Sequence, residues 1–119
     1  MSDESEARHF PDFVACLSIV QRSLGLCHYH LYVEEADLAG DYGEAEIDAA
    51  GCVATIRWDR RKCEEDSVVA ETALHEALHV LLADLTHSLE TNPKGARVEE
   101  ERIVRRLETV LVRSVFGRG

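Results

Sequence analysis

Apolar residues recur along this chain in two rhythms, and the rhythm changes mark its elements. Phe13, Leu17, Val20 and Leu24 are spaced by four, three and four, which predicts a helix over residues 12–24, opened by Pro11 and stopped by Gly25. Residues 27–33 alternate instead, with Tyr29, Leu31 and Val33 on one side and His28, His30 and Tyr32 on the other. A period of two predicts a strand. Residues 34–43 are acidic, contain two glycines and read as a loop. Ala45, Ile47 and Ala49 then alternate with Glu46 and Asp48, and Ala54, Ile56 and Trp58 with Val53, Thr55 and Arg57. The Ala50-Gly51 turn between these runs predicts a hairpin. Residues 68–85, behind Ser67 as a candidate N-cap, are apolar nearly all round, which predicts a helix at the centre of the domain. Residues 86–96, with Asn92-Pro93 and Gly95, read as a connecting loop. A last helix over 97–115 carries Ile103, Val104, Leu107, Val110 and Leu111 on one face. The fold class is therefore α+β: an N-terminal helix, a small three-stranded and mostly antiparallel sheet, a buried helix and a C-terminal helix. Residues 1–9, polar and acidic, are expected to form a disordered N-terminal tail, leaving residues 10–119 as a single domain.

Composition narrows the function classes. The 119 residues, 45% hydrophobic, can fill one core and no more. A formal net charge of -10 argues against a nucleic-acid partner. The charge is uneven: residues 1–48 hold 2 basic and 11 acidic residues, and residues 94–119 hold 7 basic and 4 acidic. The arginines of the last helix (Arg97, Arg102, Arg105, Arg106, Arg113 and Arg118) read as a solvated face pairing with nearby glutamates. No run of 18 apolar residues is present, so no membrane-spanning helix is expected. The first residues show neither a basic segment nor an apolar one of the kind that directs export, so the expected location is the cytoplasm. Cys16, Cys27, Cys52 and Cys63 form no CxxC pair, and free thiols acting as small hydrophobes are expected.

The sharpest chemical signal is His75-Glu76-Ala77-Leu78-His79 in the central helix, a match to HExxH. With 6 histidines in the chain, random order gives such a match roughly 4% of the time, so the string alone decides little. Its context decides more, because polar side chains in an apolar helix are costly unless they are used. His75 and His79 lie one turn plus about 40° apart, so both imidazoles project from one face and can grip one ion. Two neutral nitrogens suit Zn2+. Glu76, about 100° away, is placed to take a proton from a water that the metal acidifies.

A catalytic zinc site needs a third protein donor. His87, eight residues past His79, points roughly 80° off the ligand direction on a continuing helix. The acidic triplet Glu99, Glu100 and Glu101 is the better source. By helical phase Glu100 projects with Ile103, Val104, Leu107 and Leu111, Glu99 sits at the edge of that stripe, and Glu101 points outward. The alternative for Glu100 is a place at a helix start, where an acid complements the macrodipole.

HEALH on an apolar helix, with a glutamate about twenty residues later on the next helix, resembles the gluzincin zinc peptidases. The short chain, with a helix and three strands ahead of the motif, is similar to their minimal members, the minigluzincins. The likeness runs over roughly residues 11–115, although the motif is a few residues. It implies a zincin-like metallopeptidase domain with His75, His79 and Glu100 as zinc ligands, Glu76 as general base, and Val53 to Trp58 as the sheet edge along which an extended peptide lies. Where such peptidases often carry an acid that orients a zinc histidine, this chain has Val104 and Arg105, which leaves Glu71 for that part. Tyr42, His87 and Arg105 are the candidates for oxyanion stabilisation. The expected activity is hydrolysis of peptide bonds in a peptide or protein substrate by a zinc-activated water, in a monomer or weak homodimer, with no nucleic acid and no membrane as partner. Two other expectations compete: a zinc-stabilised binding domain without catalysis, and an SprT-like protease with a third histidine. His28 and His30 form a further HxH pair, read as the polar face of a strand rather than a metal site.

Overall fold

The computed structural model describes the backbone from Ser2 to Val115 and the side chains of residues 12–109 other than Ala96 and Arg106. Its elements are α1 (Ser2–Ser23), β1 (His30–Glu35), β2 (Gly43–Asp48), β3 (Val53–Trp58), α2 (Asp66–Thr91) and α3 (Pro93–Val115). The architecture is α+β, three helices with one small mixed sheet. Among the described residues, no helix is long and apolar enough to cross a membrane.

α1 buries Phe13, Leu17 and Leu24, the residues whose spacing predicts it. Its backbone begins at Ser2, so most of the segment expected as a tail is counted to the helix, with side chains described only from Asp12. The stop at Gly25 is a glycine C-cap in the left-handed region (φ 73°). Gly25 N–H donates to Arg22 O at 3.1 Å and Leu26 N–H to Gln21 O at 2.9 Å, which satisfies the last carbonyls of the helix.

The sheet order is β1-β3-β2, with β1 parallel to β3 and β2 antiparallel to it. Two expectations change. The sheet is mixed, not mostly antiparallel, because the segment after β1 carries the chain to the far edge and the hairpin then folds β3 back into the middle. β3 is accordingly the central strand, and the edges are β1 and β2. Full burial of Ala54, Ile56 and Trp58 follows from that central place. The hairpin closes on Asp48, whose Oδ1 accepts from Gly51 N–H at 3.1 Å; a Cβ at Gly51 would lie 2.7 Å from Asp48 Oδ2. β1 starts at His30, so His28 and His30 do not share a strand. His28 faces Asp84 (Nε2–Oδ2 3.5 Å), while the ring of His30 packs on Tyr32.

The core lies between the sheet and the helical layer, and Phe13 stacks on Trp58 there with ring centroids 4.6 Å apart. Each such fully buried side chain contributes about 2–3 kcal/mol from its removal from water. On the other sheet face Arg57 reaches Glu34, Glu44 and Glu46 at 2.9–3.1 Å, tying all three strands together. The four cysteines are free, with Cys63 buried and Cys27 exposed.

α2 is one-sided rather than apolar all round. It buries Val69, Thr72, Ala73, Glu76, Ala77, Val80 and Leu81, and leaves Leu74 and Leu82 exposed. The alanines on the packed stripe let the helix sit close to the sheet. The expected loop over residues 86–96 is not formed: α2 continues to Thr91, and Asn92 alone separates it from α3. Asn92 serves both helices. Its N–H donates to Ser88 O at 2.8 Å, ending α2, and its Oδ1 accepts from Gly95 N–H at 3.1 Å, opening α3. Pro93 occupies the first turn of α3, where a missing N–H costs nothing. On α3, Ile103 is buried and Leu107 packs on the core. Val104 is half exposed, and the side chains of Val110 and Leu111 lie outside the described residues, as do those of Arg106, Arg113 and Arg118.

Candidate functional site

Helical spacing sets the first part of the site. His75 and His79 stand on the exposed flank of α2, with Nε2 atoms 3.2 Å apart and rings inclined by 77°. One of these ring nitrogens donates to the other. The same spacing suits a shared ion. Two nitrogens 3.2 Å apart, each about 2.0–2.1 Å from one cation, subtend about 100–106°, close to tetrahedral.

Glu76 lies on the packed stripe, 3% exposed, and receives no hydrogen bond from a described residue. Burial pushes its carboxyl above the usual range; His75 and His79 pull the other way, while Glu44 and Asp41 push it further up. Its place depends on Gly43 at the start of β2. A Cβ there would stand 2.9 Å from Thr72 Cγ2, 3.0 Å from Glu76 Oε2 and 3.2 Å from Arg57 O. Only glycine lets the edge strand lie this close over the carboxylate.

Between β2 and α2 runs an open groove of about 840 Å³, walled by Gly43, Ala45, Ile47 and Ala49 on one side and by His75, Glu76, His79, Leu82, His87 and Glu90 on the other. A second cavity of about 440 Å³ continues it past Asp41, Tyr42, Glu71 and Thr72. Tyr42 O accepts from Asp59 N–H at 2.9 Å, so alternate residues of β2 bond to β3. The N–H and C=O groups of Gly43, Ala45 and Ile47 are therefore directed to the free edge, toward the groove. The edge that borders the histidines is β2, which replaces the expected Val53–Trp58.

The loop ahead of β2 is held by Asp59, whose carboxylate accepts from Leu38 N–H, Arg61 N–H and Lys62 Nζ at 3.2, 3.2 and 2.8 Å. The Lys62 ammonium, with these backbone donors, holds that carboxyl below its ordinary range.

Sequence reasoning brought together His75, Glu76 and His79, and the fold keeps them together. Tyr42, Glu71 and His87 also line the grooves. Arg105 lines neither and pairs with Glu101 at 3.5 Å. The acidic triplet stands apart. Glu100 is exposed, whereas Glu99, on the line of Ile103 and Leu107, is half-buried and paired with Arg102. Counted from Asn92, Glu100 is eight residues out and His79 thirteen residues back. At 1.5 Å per residue the two fall about 7–8 Å out of level even where the helices run side by side. Among the described residues, no group of three His, Cys, Asp or Glu side chains is close enough to hold a metal ion. Asp41, Gly43 and Glu90 were not anticipated as parts of the site; a glycine opening a strand was the one available signal, for Gly43. No family model, curated protein or solved structure matches the chain.

Proposed function

We propose that the chain is a zinc-dependent hydrolase of peptide bonds, of the zincin-like kind, with His75 and His79 holding the metal and Glu76 as general base. The observation that carries this reading is the imidazole pair, 3.2 Å apart in the wall of an open groove, beside a carboxylate 3% exposed that receives no hydrogen bond from a described residue. A buried acid without a donor lowers stability and is expected where function uses it. Zinc, when bound, supplies Lewis acidity toward a carbonyl and acidifies water near neutral pH. Glu76 takes a proton from the attacking water and delivers it to the leaving amine. The β2 edge pairs with the substrate backbone and holds it extended. Glu100 is the proposed third protein donor.

The second reading is a zinc-stabilised binding domain that cleaves nothing; the 7–8 Å offset of Glu100 from the level of His79 favours it. One set of variants separates the two. Glu76→Gln should retain zinc, abolish cleavage of a broad peptide mixture and, without metal, melt higher than wild type. Zinc retained with no cleavage by wild type favours the binding domain, and full cleavage by Glu76→Gln removes the base assignment. Glu100→Gln should weaken zinc binding at least about tenfold if its carboxylate is a donor.

A further inference from the structure

We propose that the groove takes a peptide segment with a positive side chain toward each end and small apolar residues between, an inference that rests on the groove being the substrate site. Its ends are acidic: Asp41 and Glu71 at one, Glu90 at the other. Its middle is apolar, with Ala45, Ile47 and Leu82. Among the described residues, no lysine or arginine lines either cavity. The carboxylate of Glu44 belongs to the opposite sheet face, where Arg57 holds it at 3.0 Å.

Acidity by itself is no site, since the whole chain is acidic. Glu76 supplies the independent observation, because it is buried, receives no hydrogen bond from a described residue and opens into the middle of this groove. Length then sets the register. Glu71 to Glu90 is nineteen helical steps, about 28 Å, or eight to nine residues of extended chain. The histidine pair divides that span unequally. One cationic residue falls about three positions from the reacting bond, and the other about six on the opposite side.

The test uses two fluorescein-labelled, end-blocked dodecapeptides of alanine, one with lysine at positions two and eleven and the other with glutamate there. Binding to the zinc-supplemented full chain is followed by anisotropy at low salt. The lysine peptide should bind at least about tenfold tighter, and 0.5 M salt should remove most of the difference. Glu71→Lys with Glu90→Lys should cost the lysine peptide at least about fivefold. Glu64→Lys with Glu108→Lys, which changes net charge equally at exposed positions outside the groove, should cost less than about twofold. Thermal melts check that both double variants fold. Equal affinity for the two peptides, or equal loss in the two double variants, overturns the proposal. A charge preference without any cleavage removes the hydrolase reading and leaves the acidic groove as a binding site for cationic peptides; cleavage without preference does the reverse.

Discussion

Replacing Gly43 by alanine tests the closest approach in the site. The added Cβ would stand 2.9 Å from Thr72 Cγ2, well inside the 3.5–4.0 Å at which two carbons attract. Glu76 Oε2, at 3.0 Å, ends a side chain that can swing; Arg57 O, at 3.2 Å, belongs to the backbone of the central strand and cannot. Thr72 is buried and stiff at χ1 in a helix, so the strand or the helix must shift. Overpacking of this kind costs about 1–3 kcal/mol. Gly43 is not in the left-handed region, so the substitution also gains about 0.4–1 kcal/mol by restricting the unfolded chain. The net loss is about 1–2 kcal/mol. Unfolding entropy of about 2.1 cal/mol/K per residue converts this to a melting temperature about 4–8 °C lower, read by circular dichroism or scanning calorimetry. Thr72→Ser removes the offending methyl, and in the Gly43→Ala background it should restore at least half of the loss. A drop below about 1 °C, or no coupling between the two positions in the double-mutant cycle, refutes the packing argument.

Two further outcomes follow from the same structure. Asp59→Asn should destabilise the protein at pH 7. A carboxyl held below its ordinary range contributes stability above its unfolded value, 3.8, and loses it as pH falls through the folded value. The gap between wild type and variant in urea midpoint should therefore narrow below about pH 4, and a gap unchanged at pH 3 would exclude the ion pair as its source. Asn92→Ala should cost about 1 kcal/mol and speed hydrogen exchange at the Gly95 amide, which donates to the Asn92 side chain; unaltered exchange there would remove its capping role.

Local features of this fold were legible in the sequence and long-range ones were not. Spacing alone identified α1, the β2–β3 hairpin and the two histidines, because each is fixed by residues a turn or a strand away. The continuation of α2 was hidden by Thr86, Ser88 and Thr91, which carry little helical preference and interrupt the apolar rhythm. A proline following an asparagine reads equally well as a loop or as the start of a new helix. The place of β3 depends on β1, more than twenty residues earlier, and alternation says nothing about which strand neighbours which. Helical phase explains why Glu100 is exposed rather than set in the apolar stripe. Counting Val104 into the apolar stripe moved its centre onto Glu100, whereas Val104 is 52% exposed and the packed line runs through Glu99, Ile103 and Leu107. The burial of Glu76 is set by a glycine thirty-three positions away, which no helical projection contains.

The strand order has a consequence for how the molecule is made. β1 cannot pair with its neighbour in sequence, because that neighbour lies at the opposite edge, so it waits for Trp58 to leave the ribosome. Until then Leu31 and Val33 lack the strand that lies beside them in the finished sheet. The later hairpin, closed by a short turn, forms within about ten microseconds and offers the missing rail. Docking of the early strand onto that rail is thus the step that commits the sheet, and a pause in synthesis that leaves β1 outside the ribosome and β3 still within it would expose an unpaired strand to aggregation.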